Sequence, residues 1–416
     1  MKRFIKLNEF IREMTMKSLE IILAGGPGSR LGHLTGEIPK PMVPFGGGDI
    51  RILDFAVSNA YNSGSLHILV LTQHQAEHLE NYIDSEWKNL LQDAGTSIRY
   101  LRSKPGRQYT GTANAVYQNR RQIQNLKPNL VGILSADHIY SMDYQQMYET
   151  HLQQDADLTV TAMPVPLAEA HRFGVLDVDL YGKVTGFQEK PQEPKPIPTN
   201  PDMCWVNLGI YAFKPKVLLQ MLEEDAQKPD SSHDFGKNII PEMINRGMKV
   251  IVYDFYLNKV EGVAVPYWAD VGVLDEYYRV HMDIVGKNPK FNIRNPSWQL
   301  HIADRQTEKP LVDANAEVID SIVSPGAAIG ESRVVNSVIF PGVQIGNYSE
   351  ITDSVVLPKA KIGEFVRLSK TIVNKGAHVP NDLKVGLFET LNQRLGLTKT
   401  DGGIYVVGAT LDGYKT

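Results

Sequence analysis

The sequence predicts an α/β domain built on a mainly parallel sheet, followed by a parallel β-helix. Three observations carry this reading. Residues 19 to about 279 alternate short apolar runs with amphipathic stretches, the pattern of strands joined by helices. From Ile319 onward the texture changes to an internal repeat. The length of 416 residues exceeds what a single core usually serves.

In the first part the predicted strands are Ile21-Leu23, His67-Thr72, Leu130-Ser135, Leu158-Pro164, Val175-Val178, Lys183-Phe187, Leu208-Phe213 and Lys249-Asp254. The predicted helices are Leu53-Ser63, Gln75-Glu86, Thr112-Asn125, Tyr144-Gln154, Pro215-Asp225 and Phe235-Arg246. A parallel sheet of this kind binds ligands beyond the carboxyl ends of its strands. Three suggestive segments stand at such ends: the glycines after Leu23, Thr72-Gln73, and Ala136-Asp137-His138.

The repeat units start at Ser321, Ser337, Ser354 and Thr371, 16 or 17 residues apart. Ile-Gly pairs recur at Ile329, Ile345 and Ile362, and apolar residues return about every six positions. Ordinary hairpins would not keep Pro-Gly and Ile-Gly in register. The expected organisation is an N-terminal extension at 1–18, an α/β domain at 19–285, a proline-bearing linker at 286–318, and the β-helix with a C-terminal tail at 319–416.

Composition narrows the function. A net charge of −4 gives no footing for nonspecific nucleic-acid binding. One cysteine, Cys204, leaves no internal disulfide and no cysteine zinc cluster, in keeping with a reducing cytoplasm. The basic, mixed segment from Met1 to Lys17 lacks the apolar stretch of a signal peptide. No run approaches the roughly 18 apolar residues of a membrane span.

The segment Leu23-Ala24-Gly25-Gly26-Pro27-Gly28-Ser29-Arg30-Leu31, with Pro39-Lys40-Pro41 after it, is where chemistry concentrates. Gly25, Gly26 and Gly28 let the backbone take positive φ, so that successive N–H groups can converge on one anion. Arg30 and Lys40 add positive charge for phosphate oxygens. Three glycines alone would suit a tight βα turn; the Arg and Lys tip the reading toward a nucleotide site. Asp137, after an apolar strand, is expected to be a Mg²⁺ ligand, with Asp270 as a second carboxylate. His138 reads as structural. Glu189-Lys190-Pro191 reads equally as a solvated turn or as a sugar-phosphate contact. Ser231-Ser232-His233-Asp234-Phe235-Gly236-Lys237 reads first as a helix cap. No Ser-His-Asp or Cys-His set suggests a nucleophile.

Taken together, the glycine loop, Phe45-Gly46-Gly47, Arg51-Ile52-Leu53-Asp54-Phe55, Asp137-His138-Ile139-Tyr140, Glu189-Lys190-Pro191, the Ser231–Lys237 segment and Pro266-Tyr267-Trp268 with Asp270-Val271-Gly272 resemble the glucose-1-phosphate adenylyltransferases of bacterial type. The resemblance covers nearly the whole chain. It implies a Rossmann-like nucleotidyltransferase domain, a left-handed hexapeptide-repeat β-helix, and transfer of an adenylyl group from ATP to glucose 1-phosphate with Mg²⁺. It implies catalytic roles for Arg30, Lys40 and Asp137, and nucleotide contacts from Leu23, Gly25, Gly26, Gly28, Gln73 and Gly111. Tyr109, Gly174, Glu189, Lys190, Asn207 and Asp270 would face the sugar phosphate. It further implies a cytoplasmic homotetramer, or a heterotetramer with a homologous subunit.

Departures from the family pattern bear on control and specificity. Gly36-Glu37-Ile38 stands where the family carries a basic pair associated with a phosphorylated activator, and a Glu there repels such an anion. Ala136, Thr110, Asn114, Asn207, Ala269 and Val273 also replace the usual residues. Three alternatives remain open at this level. One is a sister enzyme using another nucleotide or mannose 1-phosphate. Another is a non-catalytic regulatory subunit. The last is a β-helix acyltransferase, for which the repeat offers only His378 as a base.

Overall fold

The computed structural model describes residues 17–26, 28–301, 309–387, 392 and 397–408. Nearly all of the N-terminal extension, the C-terminal residues 409–416 and Pro27 of the glycine loop lie outside the described residues. The described chain forms two compact units that interleave along the sequence. One comprises residues up to Gly26, Ala56–Ala136 and Ser141–Pro266; the other comprises Pro27–Phe55, Asp137–Tyr140 and Tyr267 onward.

The first eleven strands are β1 (Ser18–Ala24), β2 (His67–Thr72), β3 (Ser97–Arg102), β4 (Leu130–Ser135), β5 (His138–Tyr140), β6 (Leu158–Pro166), β7 (Gly174–Val178), β8 (Val184–Glu189), β9 (Met203–Phe213), β10 (Val250–Asp254) and β11 (Trp268–Asp270). In the first unit the order is β10-β6-β9-β4-β1-β2-β3, with β7 attached beside β9 and β8 beside β7. Strands β4, β1, β2 and β3 run parallel, and β10 is parallel to β6. Their aliphatic side chains make a continuous core with the flanking helices, as strands buried on both faces require. The register pairs Ala24 with Thr72 and Leu23 with Ser135. Strands β1, β2 and β4 therefore end level, and the loops starting at Gly25, Gln73 and Ala136 leave from one edge.

Several elements differ from expectation. Strand β3 was not foreseen: of Ser97–Arg102 only Ile98 is buried, so an edge strand with two arginines carries little apolar signal. The predicted helix Thr112-Asn125 is broken at Asn119 into Thr112–Gln118 and Arg120–Leu126. The Asn119 amide donates to the Ala115 carbonyl at 2.8 Å and to the Tyr109 hydroxyl at 2.9 Å. The predicted helices at 75–86 and 235–246 each contain a π-helical turn, Ile83–Trp87 and Phe235–Ile239.

The second unit contains the β-helix, whose faces are three parallel ladders. One runs from Leu311–Val312 to His378–Val379, the second from Glu317–Ile319 to Lys384–Val385, and the third from Ile322–Val323 through Thr371–Val373 to Tyr405–Val407. Val334, Ile351, Leu368 and Val385 stack inside one ladder, and Val338, Val355 and Ile372 inside another, all buried. The repeat's hydroxyls have a defined job. The Ser337 backbone N–H donates to Ser321 Oγ, Ser354 N–H to Ser337 Oγ and Thr371 N–H to Ser354 Oγ, at 3.0, 3.0 and 3.3 Å. Each coil thus satisfies a backbone donor of the next where the chain turns. The coils begin earlier than the repeat suggests. Leu311–Val312 pairs with Ala328–Ile329, and Glu317–Ile319 with Arg333–Val335, so residues 311–319 form coil rather than linker.

This β-helix shares one apolar core with Leu31, Leu34, Val43, Phe45, Ile52, Ile139, Val271 and Tyr277. At the junction the Gly48 N–H donates to buried Ser324 Oγ at 3.0 Å. His281, fully buried in helix Leu274–Met282, pairs through Nδ1 with the Tyr277 carbonyl at 2.7 Å and accepts from the Gly46 N–H at 3.1 Å through Nε2. Both ring nitrogens are committed to one neutral tautomer, and burial lowers the imidazole pKa to about 4. Buried His151 in the first unit is likewise lowered to about 4 by burial. An unfolded histidine takes up its proton near pH 6.5, so each site destabilises the fold progressively as pH falls from about 6.5 to about 4, by about 1.4 kcal/mol per pH unit. Thermal melts should therefore show a melting temperature that declines across this window, and less steeply in His281→Phe. An identical decline in both proteins would refute the role given to His281.

Candidate active site

The second unit draws Lys40, Asp137 and Asp270 together. Lys40 Nζ lies 2.8 Å from Asp137 Oδ2 and 3.1 Å from Asp270 Oδ1. Local sequence explains how each arrives. Pro39 and Pro41 flank Lys40 in a single 3₁₀ turn, Lys40–Met42, closed by the Met42 N–H to the Pro39 carbonyl. Asp137 follows β4 and leads into β5. Asp270 closes β11, which pairs antiparallel with β5 so that Asp270 stands directly opposite His138. Cross-strand partners share a face.

Burial of the Lys40 side chain, only 7% exposed, works against its charge. The two carboxylates outweigh burial, and its pKa is raised. The bare Coulomb attraction of an ion pair near 3 Å is about 5 kcal/mol at an effective dielectric of roughly 20, before desolvation of the lysine and solvent screening at half-open Asp137 are subtracted. Burial acts on Asp137 in the opposite sense, and Lys40 with His138 overcomes it, holding the carboxyl well below the usual range. Lys40 and Asp137 are both charged at neutral pH. Two aspartate oxygens converging on one cation match the donor set of Mg²⁺, which takes one or two carboxylates and fills its remaining positions with phosphate oxygens and water. Lys40 is the stand-in cation on which that fit can be judged.

His138 belongs to this group as well, although its sequence context reads as structural. Its Nε2 is 3.4 Å from Asp137 Oδ1, its ring meets Trp268 edge-on at 4.9 Å, and donor atoms of Asp137, His138 and Asp270 lie within 4.8 Å of one another. The available signal was the pairing of Asp-His-Ile-Tyr with Tyr-Trp-Ala-Asp, which only a sheet register reveals. Arg30 arrives from the 3₁₀ segment Ser29–Leu34. Its Nη2 would stand 3.1 Å from a Cβ at Gly272, and Asp270 Oδ2 would stand equally close. Arg30 and Asp270 thus border the same glycine.

The glycines of the loop divide in role. Gly28 has φ +65°, and a Cβ there would lie 2.6 Å from Lys40 Cβ. Of the three, only Gly28 uses this freedom: neither Gly25 nor Gly26 adopts a positive φ. The structure leaves open space around Gly26, while Gly25 packs near Gln73 and Tyr109.

The first unit holds the other candidate residues. Leu23, next to last in β1, is half-buried, and its carbonyl accepts from the Ala136 N–H. The Gln73 side chain pairs with the Tyr109 backbone through both amide atoms. The Tyr109 hydroxyl is used by Leu101 and Asn119, leaving its ring as the presentable surface. A Cβ at Gly111 would fall 2.3 Å from the carbonyl oxygens of Ser232 and His233, so that glycine is required by close approach of the 231–237 loop. That loop also caps its own helix through Asp234, which receives the Lys237 N–H, and binds Thr112. Gly236 of the same loop abuts Phe187, as does Gly174. Gly174 pairs with Glu189 across β7 and β8, and Lys190 follows with φ +48° and a half-exposed side chain. Asn207 spends its amide on its own strand, donating to Tyr211 Oη and accepting from the Gly209 N–H. The 231–237 loop therefore joins the Gly111 side to the Gly174 side, a linking role that its sequence, read as a cap, did not announce.

The contrast between glycines is measurable. Gly28→Ala forces a left-handed backbone on a side chain that also meets Lys40, at about 1–2 kcal/mol for the backbone alone. It should lower the melting temperature by several degrees, whereas Gly26→Ala should leave it unchanged. Equal melting temperatures for the two variants would refute the division.

Residues 19–287 match the nucleotidyl transferase family, and residues 308–407 match the GlmU-like C-terminal hexapeptide family. The chain is 41% identical to the glucose-1-phosphate adenylyltransferase of Thermus thermophilus, covering 94% of this chain and 97% of that relative. It is 38% identical to the enzyme of the same name from Rhodopirellula baltica, over 95% and 90%. Against glucose-1-phosphate adenylyltransferase 1 of Vibrio cholerae the identity is 42%, over 76% and 79%. The chain belongs to the glucose-1-phosphate adenylyltransferase family of nucleotidyl transferases.

Proposed function

We propose that this protein transfers the adenylyl group of ATP to glucose 1-phosphate, giving ADP-glucose and pyrophosphate. The observation that carries the reading is the Lys40–Asp137–Asp270 cluster beside Arg30, in a chain whose similarity to named relatives spans both halves. The sugar phosphate oxygen attacks the α-phosphorus of ATP, and the bond to the pyrophosphate oxygen breaks. Chemistry of this kind depends on positioning and on neutralising charge. Arg30 and Lys40 neutralise the departing pyrophosphate. The backbone around Gly25, Gly26 and Gly28 accommodates the phosphates, and Gln73 and Gly111 border the adenine. The Tyr109 ring, Gly174, Glu189, Lys190 and Asn207 line the glucose 1-phosphate side. Asp137 and Asp270 would hold Mg²⁺, which supplies charge stabilisation at the α-phosphate oxygens when bound. A cytoplasmic tetramer, with coils of the β-helix in its contacts, completes the proposal.

A pyrophosphate-release assay over ATP, UTP, GTP and CTP, each with glucose 1-phosphate or mannose 1-phosphate, tests the substrate pair. Highest kcat/KM is expected for ATP with glucose 1-phosphate, and no turnover with any pair would overturn the reading. Run with candidate sugar-phosphate effectors, the same assay should show little activation, because exposed Glu37 repels an anion at that turn. Asp137→Ala should lower kcat by roughly a thousandfold or more. Lys190→Ala should leave kcat nearly intact and raise the KM for glucose 1-phosphate about tenfold, equivalent to about 1.4 kcal/mol. An unchanged KM would remove Lys190 from the sugar-phosphate side.

A further inference from the structure

The carboxylates assigned to a divalent cation already hold one positive group. Lys40 Nζ contacts both, at 2.8 and 3.1 Å, and the lysine is buried. Its anchorage is firm at the base, where Pro39 and Pro41 flank it and Gly28 packs against its Cβ. Beyond Cβ the side chain is an unbranched stem whose end can swing. A magnesium-type ion needs oxygen ligands at about 2.0–2.1 Å, within the volume the ammonium fills, and two cations that close repel strongly. Both cannot sit between Asp137 and Asp270.

We propose that Lys40 is an internal competitor for the divalent cation, holding the carboxylate pair until the phosphates of the nucleotide draw its ammonium away. This rests on the nucleotidyl-transfer reading above and deepens it, for it gives Lys40 two successive partners. The ammonium first balances the aspartates and then the polyphosphate, whose binding beside Arg30 offers more negative charge than the two carboxylates. Metal therefore enters with the nucleotide or after it.

Mn²⁺ binding to the full chain without nucleotide, followed by electron paramagnetic resonance, tests this directly. Lys40→Met should bind Mn²⁺ at least tenfold more tightly than the wild type, while Lys88→Met, which removes an exposed lysine from a surface ion pair elsewhere, should bind it as the wild type does. Equal or weaker binding by Lys40→Met would overturn the proposal. Since that variant leaves two carboxylates facing each other and could fail to fold, a second measurement uses the wild type alone. Saturating Mn²⁺ should raise acylation of Lys40, read by mass spectrometry, several-fold; unchanged labelling would overturn the proposal. A chain that releases no pyrophosphate yet shows tightened Mn²⁺ binding in Lys40→Met would lose the reaction reading and keep the competition. An active enzyme with unaltered Mn²⁺ affinity would do the reverse.

Discussion

One ammonium held between two carboxylates organises this protein. Lys40 is 97 residues from Asp137 and 230 residues from Asp270 along the chain. Three segments must therefore be placed together before the contact exists. Each is placed by a different device: a proline-flanked 3₁₀ turn for Lys40, the exit of a parallel strand for Asp137, and a short antiparallel pairing for Asp270. The contact is favourable only when all three succeed, because a lysine buried without its partners would be costly to desolvate.

The β-helix enters the same account through packing. The segment carrying Arg30 and Lys40 continues into Phe45 and the glycines that follow, and these are seated against His281 and Ser324. Leu31, Leu34 and Val43 belong to the apolar core that the coils fill. The unit that holds the charged cluster is thus also the unit that contains the repeat. The coils buttress the lysine-bearing loop from below through ordinary hydrophobic burial and a few exacting hydrogen bonds. A repeat that carries no chemistry of its own is still part of what holds the chemistry in place.

Much of this was legible in the sequence, for stated reasons. Buried parallel strands announce themselves by unbroken apolar runs, and β1, β2 and β4 were read correctly from them. A β-helix repeats its interior aliphatics at fixed intervals, so stacking followed from spacing. Where the signal is weak the reading failed. Strand β3 buries a single aliphatic; Asn119 interrupts a helix through a side-chain bond to Tyr109; the first coil at 311–319 is exposed and lacks the repeat's serine. The positive φ that three glycines allowed is taken by Gly28 alone, because composition does not distinguish a glycine needed for its torsion from one that leaves space.

The sequence by itself determined most of the alternation of strands and helices, the stacked coils, and the identities of Arg30, Lys40, Asp137 and Asp270 as the groups worth watching. These follow from periodicity and from residue chemistry, which are local properties of the chain. Only the tertiary structure decided that Lys40 sits on both aspartates, that His138 stands opposite Asp270, and that the 231–237 loop holds Gly111 by close approach. Those are relations between distant segments, set by sheet register and by the room left around a glycine, and no local pattern encodes them.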